Sequence, residues 1–350
     1  MNPMQTILVT GGCGFIGSNF VHRLLETKRY RVINVDKLNY CAALKNVTRH
    51  YNFSTHHEEE TDLSNYFFYK SDINNADFIN DLLTRHQVDI VFHFAAQSHV
   101  DQSFGNSLQF VTDNVVGTTT LLECCRLYGK IKLFVHVSTD ETTGSIAPDQ
   151  EEIAMSYGYY NPSNPYAATK ACAELMAKSF LISYGLPIII TRSNNVYGPH
   201  QFWEKAIPKF INSLCKNQKI PIYGRGSALR KYLYVEDACD AYLTIMEQGQ
   251  VGKIYEMGSA DEYSTYDLAC QLITQLKPNQ LPEHWIEYVT DRPFHDTRYL
   301  VNQKSLSDLG WKPKTPFTQG LSKTIEWYAN YAIPNQYWMY DDATTLITKL

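Results

Sequence analysis

Thr6-Ile-Leu-Val-Thr10 runs directly into Gly11-Gly12-Cys13-Gly14-Phe15-Ile16-Gly17, and the reading of that junction decides the fold. A short β-forming run ends on glycines at 11, 14 and 17, and a segment of helical period follows. Glycine permits the tight turn and lets the backbone come close to a pyrophosphate, while the helix start offers N–H groups and a positive dipole end. Alone, the glycine pattern describes an ordinary turn. With a strand before it, a helix after it and Asp36 nineteen residues beyond Gly17, it describes a dinucleotide site.

Working outward, strand-like runs recur at 6–10, 31–36, 67–70, 90–94, 132–138 and 187–192. Segments of helical period open at Gly14, Asn75, Leu108 and Tyr166. This alternation predicts an α/β fold, a doubly wound parallel (Rossmann) sheet, with a smaller C-terminal α/β substrate-binding lobe. Residues 1–195 are expected to form the dinucleotide-binding domain and to carry the catalytic groups. Prolines and glycines break up the chain after 195, so residues 196–330 are expected to form mainly the substrate lobe, with segments free to cross between the two. Residues 331–350 read as a tail without legible function. Residues 49–65 are polar and aperiodic, and His56-His57 beside three glutamates reads as a solvated surface loop.

Composition narrows the function. The 350 residues are 44% hydrophobic and include 25 tyrosines, enough apolar surface for a core and many polar-tipped rings for a polar ligand. A formal net charge of −5 repels a polyphosphate backbone, so nucleic acid is not an expected partner. No apolar run reaches membrane length and no charged, apolar leader precedes the first strand, so no membrane association and a cytoplasmic location are expected. The eight cysteines form no C-x-x-C pair and no zinc spacing, so they are expected to be reduced and no metal is expected.

Asp36 ends the second strand-like run, where a carboxylate accepts hydrogen bonds from a ribose diol and repels a 2′-phosphate. That favours NAD over NADP, although Lys37 next to it partly offsets the argument. Leu38 and Asn39 continue this wall. Asp72 and Ile73 follow the third run, and Ala95-Ala96-Gln97-Ser98 follows the fourth, again at strand C-terminal ends. Tyr166 and Lys170 stand four residues apart on one helix face, one helix past Ser138-Thr139. An ammonium beside a phenol is expected to lower the tyrosine pKa toward a value suited to taking a proton from a sugar hydroxyl.

Together the glycine motif and Tyr166-x-x-x-Lys170 resemble the extended short-chain dehydrogenase/reductases. Within them, VDKLNYCAALKNV, HFAAQSHVDQSF, VSTDE, NPYAATKA, TRSNNVYGPHQFWEKAIPKFI, RKYLYVEDACDA and DRPFHDTRYL resemble the nucleotide-sugar 4,6-dehydratases acting on dTDP-glucose or UDP-glucose. The resemblance runs from about residue 6 to about residue 329. It implies a tightly bound NAD as internal hydride carrier, with Tyr166 taking the C4 hydroxyl proton as hydride leaves C4. Glu141 then removes the C5 proton while a protonated Asp140 donates to the departing C6 hydroxyl, and hydride returns to C6. Thr139 is expected to hydrogen-bond the C4 oxygen, and Lys170 to hold the nicotinamide ribose as well.

By the same resemblance His99 lines the sugar site, Asn194 and Asn195 contact diphosphate and cofactor, and Lys205 and Ala206 lie along the nucleotide. Pro221 and Tyr223 flank the base, Arg230 and Arg292 clamp phosphate, and His295 and Tyr299 close the pocket. Family members commonly form homodimers through two helices per subunit, here 108–127 and 166–184. The sequence also departs from the family. Thr142-Thr143 replaces a usual Val-Tyr after Asp140-Glu141, which is expected to loosen that loop. Gln97 stands where many bacterial members have glutamate, and Asp113 stands where threonine is frequent, near the expected nicotinamide. Competing readings are a UDP-sugar 4-epimerase or decarboxylase of the same fold, against which Asp140-Glu141 argues, and an NAD-binding scaffold whose catalysis has decayed.

Overall fold

The computed structural model describes residues 4–146, 158–290 and 296–338. Seven strands form one sheet: β1 (Gln5–Thr10), β2 (Tyr30–Asp36), β3 (Tyr66–Lys70), β4 (Ile90–His93), β5 (Leu133–Val137), β6 (Ile188–Ser193) and β7 (Ile254–Met257). Their spatial order is β7-β6-β5-β4-β1-β2-β3. Every pairing is parallel. The order reverses at β1, so the crevice beyond the C-terminal ends of β1 and β4 is where a doubly wound sheet takes its ligand.

Both faces of this sheet are covered, which is why its inner strands are buried at every position rather than alternately, polar His93, His136 and Arg192 included. All residues of β4, β5 and β6 are buried. The period of two survives in where they point. Ile7 and Val9 enter a core with Phe20, Leu24, Tyr242 and Ile245. Leu8 enters the opposite one with Ile79, Leu82, Leu121 and Ala177. A third core, around Phe210, Ile211, Leu268, Leu272, Phe317 and Trp327, belongs to the C-terminal half.

Two segments of that half cross back. The helix Val235–Gln248 packs on Phe15–Glu26, and β7 adds an edge to the main sheet. The remainder holds a small sheet of Glu262–Ser264, Leu229–Tyr234 and Asn195–Tyr197, and a parallel pair of Ile220–Tyr223 with Ile286–Val289.

The polar stretch at 49–65 is not a loop. Arg49–Asn52 and His57–Glu60 pair as an antiparallel hairpin. Tyr51 and Phe53, two residues apart and so on one face, pack on the third core, while the His56 ring nitrogen Nδ1 meets Glu326 at 2.8 Å. The tail also has structure. Trp327–Ala332 is a π-helical turn, and Tyr337 is 4% exposed, its ring stacked on His200. No helix among the described residues is long and apolar enough to cross a membrane.

Candidate active site

At the first strand-to-helix turn Gly11 has φ of +73°, and a Cβ there would fall 2.6 Å from the Ala95 nitrogen. A Cβ on Gly17 would fall 2.3 Å from the Gly11 oxygen. The turn therefore admits only glycine at both points. Gly12 serves packing instead: its Cα faces the Asn34 side chain, and it is not on the cavity wall as the motif suggests.

A cavity of about 300 Å³ follows the strand ends from this loop. Gly11, Gly14, Phe15, Ile16 and Gly17 form its floor. At one end stand Asp36, Lys37, Asn39, Asp72, Ile73 and Asp113, and Ala95, Ala96 and Ser98 line its middle. Asp36 Oδ2 accepts the Cys13 N–H at 2.9 Å and Oδ1 accepts the Leu38 N–H at 2.8 Å, so the carboxylate is fixed with lone pairs left over. Leu38 itself contributes only this N–H; its side chain packs toward the core and not on the cavity. Asp113 also departs from expectation: it lies against Lys37, at the Asp36 end, with a 2.7 Å ion pair. The reason is the π-helical turn Val111–Val116, which buries Asp113 and Asn114.

The opposite end of the cavity gathers Ser138, Thr139, Asp140, Glu141, Tyr166, Lys170, Asn194 and Asn195. Thr139-Asp140-Glu141 follows β5, and a short 3₁₀ turn, Asp140–Thr143, turns the acids inward. Tyr166 and Lys170 come from the helix Pro165–Tyr184, which Asn164 caps by accepting the Ala167 N–H at 2.9 Å, with proline at its first position. Asn194 Nδ2 donates to Asp140 Oδ2 at 2.9 Å, and Asn164 Nδ2 donates to Glu141 Oε2 at 3.3 Å. Burial pushes the Asp140 carboxyl up to about 7, with the Glu141 charge adding to the effect. Burial also raises Glu141.

Two expectations change here. The Tyr166 hydroxyl is not acidified; burial and then the Glu141 charge push it upward, against a hydrogen bond from Thr139. Lys170 gives no such help because its Nζ donates to the Val137 carbonyl at 2.7 Å, and burial lowers its own pKa to about 8. The Thr142-Thr143 loop is not loosened. Thr142 Oγ1 donates to the Thr139 carbonyl at 3.0 Å and Thr143 Oγ1 to the Asp140 carbonyl at 2.8 Å, so local hydroxyl bonds tie the turn.

A second cavity, about 220 Å³, adjoins the first and shares Glu141, Asn195, Glu204 and Lys205 with it. His99, Ala206, Pro221, Tyr223, Arg230 and Tyr299 line it. Arg230 donates to the carbonyls of Leu229 at 2.7 Å and Asp296 at 2.9 Å, and its guanidinium lies 4.5 Å from the Tyr299 ring centre. Lys205 Nζ donates to the Ser98 carbonyl at 2.7 Å. Arg292 and His295 lie outside the described residues. The sequence reading passed over Asn164, Glu204 and Asp296, all on this wall. Asn164 carried a signal, a capping residue directly before Pro165-Tyr166; the two acids carried none.

A family model described as GDP-mannose 4,6 dehydratase matches residues 8–324. The chain belongs to the nucleotide-sugar 4,6-dehydratase family. A family member from Homo sapiens, named dTDP-D-glucose 4,6-dehydratase, is 42% identical over 93% of this chain and 90% of its own length. A trifunctional Arabidopsis thaliana enzyme, named UDP-glucose 4,6-dehydratase/UDP-4-keto-6-deoxy-D-glucose 3,5-epimerase/UDP-4-keto-L-rhamnose-reductase, is 42% identical over 98% of this chain. The chain spans 49% of that relative's length. The crystal structure of a dTDP-glucose 4,6-dehydratase from Streptomyces venezuelae, with NAD bound, superposes with a TM-score of 0.85 at 34% identity, covering 95% of this chain and all of that one. In this family the doubly wound sheet described above is the shared scaffold.

Proposed function

We propose that this chain is an NAD-dependent 4,6-dehydratase that converts dTDP-glucose or UDP-glucose to the 4-keto-6-deoxy sugar with loss of water. The observation that carries the reading is the carboxyl couple Asp140 and Glu141, which faces the same cavity end as Tyr166 and Lys170 and borders the second cavity through Glu141. An epimerase needs no acid to expel a C6 hydroxyl. NAD fits the first cavity, whose glycine floor leaves no room for side chains and whose Asp36 is fixed with acceptor capacity to spare. When bound it supplies a reversible store for the sugar's hydride.

The residues divide the proton work. Tyr166, beside Thr139, is placed to take the C4 hydroxyl proton. Burial and the Glu141 charge hold its phenol in the protonated form; the positive nicotinamide of bound NAD would supply the charge that draws it to ionise, with Lys170 holding the ribose end of the cofactor. The resulting ketone acidifies C5, whose proton passes to Glu141 and is given back to C5 once C6 has regained the hydride. Asp140, with its carboxyl pushed up to about 7, keeps a protonated fraction at neutrality that an ordinary carboxylate lacks and donates to the C6 oxygen, which leaves as water. Ser138 Oγ and Asn194 Oδ1 are buried without a partner among the described residues, and Asn194 Oδ1 lies against Gly258. We place the nucleotide diphosphate in the second cavity, the base between Pro221 and Tyr223 and the phosphates near Lys205 and Arg230. Residues 1–195 then act as the dinucleotide domain and 196–330 mainly as the substrate lobe, in a cytoplasmic homodimer.

Purified protein incubated with each nucleotide sugar and followed by mass detection should yield a product lighter by one water; an isomer of unchanged mass overturns the reading. Replacing Glu141 by Gln should cut water elimination by roughly 10²–10⁴ while bound nucleotide stays constant. A decayed scaffold would have no activity to lose.

A further inference from the structure

We propose that Asp296 is a positioning residue that ties the base Glu141 to the diphosphate end of the second cavity, so that filling this end readies the base for the C5 proton. The inference rests on the dehydratase reading and deepens it. Asp296 is 4% exposed, and its Oδ2 accepts two hydroxyls, Ser163 Oγ at 2.5 Å and the Tyr299 hydroxyl at 2.6 Å. Its carbonyl accepts Arg230 Nη2 at 2.9 Å. Hydroxyl bonds to a carboxylate are among the strong ones, so this junction is stiff. Ser163 directly precedes Asn164, whose Nδ2 donates to Glu141 Oε2 at 3.3 Å. The chain after Asp296 reaches the other side of the base. The Thr297 N–H donates to Ser145 Oγ at 3.1 Å and the Ile146 N–H to the Arg298 carbonyl at 3.2 Å, just beyond the turn that carries Asp140 and Glu141.

Charge follows the same route. Burial above all pushes the Glu141 carboxyl up and the Asp296 charge adds to it, while Lys205, the Asn164 hydrogen bond and Arg230 pull it down. Asp140, Tyr166 and Tyr299 face it as well. Two phosphates against Lys205 and Arg230 would cancel the pull of those cations, leaving burial and Asp296 to hold Glu141 as a base fit for a carbon acid. Asp296 is thus tether and charge at once.

The test compares wild type, Ser163→Ala and Asp296→Asn. It measures affinity for dTDP and UDP by calorimetry, kcat for water loss across pH, and the absorbance of bound NADH during turnover. Ser163→Ala removes one arm of the tether and keeps the charge, whereas Asp296→Asn removes the charge. Both should lower kcat about tenfold or more at unchanged dTDP and UDP affinity, the cost of a misplaced catalytic group. Both should also build up bound NADH, because hydride has left C4 and waits for the C5 proton to go. Only Asp296→Asn should move the acidic limb of the kcat profile to lower pH, since Glu141 must be ionised and has lost the charge that raised it. Wild-type kcat without NADH build-up in both variants, lowered nucleotide affinity at unchanged kcat, or an acidic limb that stays put in Asp296→Asn overturns the proposal. Should Asp296→Asn retain no NAD and so fail to fold, Ser163→Ala decides by kcat and NADH. Wild type that releases no water from either nucleotide sugar overturns the dehydratase reading instead.

Discussion

At Asp140 burial, reinforced by the Glu141 charge, opposes ionisation, and its carboxyl sits near 7 in the folded protein. Unfolded, the same group titrates near its ordinary value of roughly 3.9. Between those two values the folded chain holds a proton that the unfolded chain has lost. The contribution of Asp140 to stability therefore falls as pH rises through that window. Asp140→Asn keeps the acceptor for Asn194 Nδ2 but cannot ionise, so its Tm should decline less than that of wild type between about pH 4 and pH 7. Equal slopes in a thermal titration would contradict the assignment. The same variant should lower kcat by roughly 10²–10⁴, and wild-type kcat should fall on the alkaline side of about 7 as the acid is lost.

The two helical segments at 107–128 and 165–184 leave large apolar groups uncovered: Leu108 is 80% exposed and Ile182 82%, with Leu127, Leu175 and Tyr184 alongside. Large apolar groups left uncovered on neighbouring helices suit an interface, and we propose that a two-fold pairing of these helices covers Leu108 and Ile182. Joint replacement of Leu108 and Ile182 by Glu should convert a dimer to a monomer in sedimentation analysis, whereas an unaltered mass would remove these helices from the interface. Elements of this kind differ in how plainly the sequence shows them. Strands β1 to β6 were legible because each is a short run rich in β-branched and aromatic residues between turn residues, even at the part-exposed edge strand β3. Strand β7 was not, since Ile254-Tyr-Glu-Met257 is short and alternates as an edge strand does. The 49–60 hairpin hid behind its charged outer face, although Tyr51 and Phe53 kept the period of two. At the site, the glycines, Asp36, Tyr166 and Lys170 were legible because their spacing is local. The contacts of Asn164 with Glu141 and of Asp113 with Lys37 join residues distant in sequence, and no spacing announces them.

Across the whole molecule, one hydrogen-bonded chain links the C-terminal segment to the cofactor loop. The Tyr337 hydroxyl donates to Asn46 Oδ1 at 2.9 Å, Asn46 Nδ2 donates to the Cys13 carbonyl at 2.9 Å, and the Cys13 N–H donates to Asp36. Asn46 is fully buried, so losing the tyrosine hydroxyl leaves an acceptor without a partner. Tyr337→Phe should reduce retained NAD several-fold with little change in far-ultraviolet circular dichroism, and shortening the chain to end before Tyr337 should do so more strongly; undiminished NAD in both would show the link to be idle. The parallel sheet is complete by Met257, some eighty positions upstream of Tyr337. A chain cut shortly before Tyr337 therefore keeps every strand of the sheet yet loses this tie to the glycine loop, so retained NAD reports whether the segment around Tyr337 is seated.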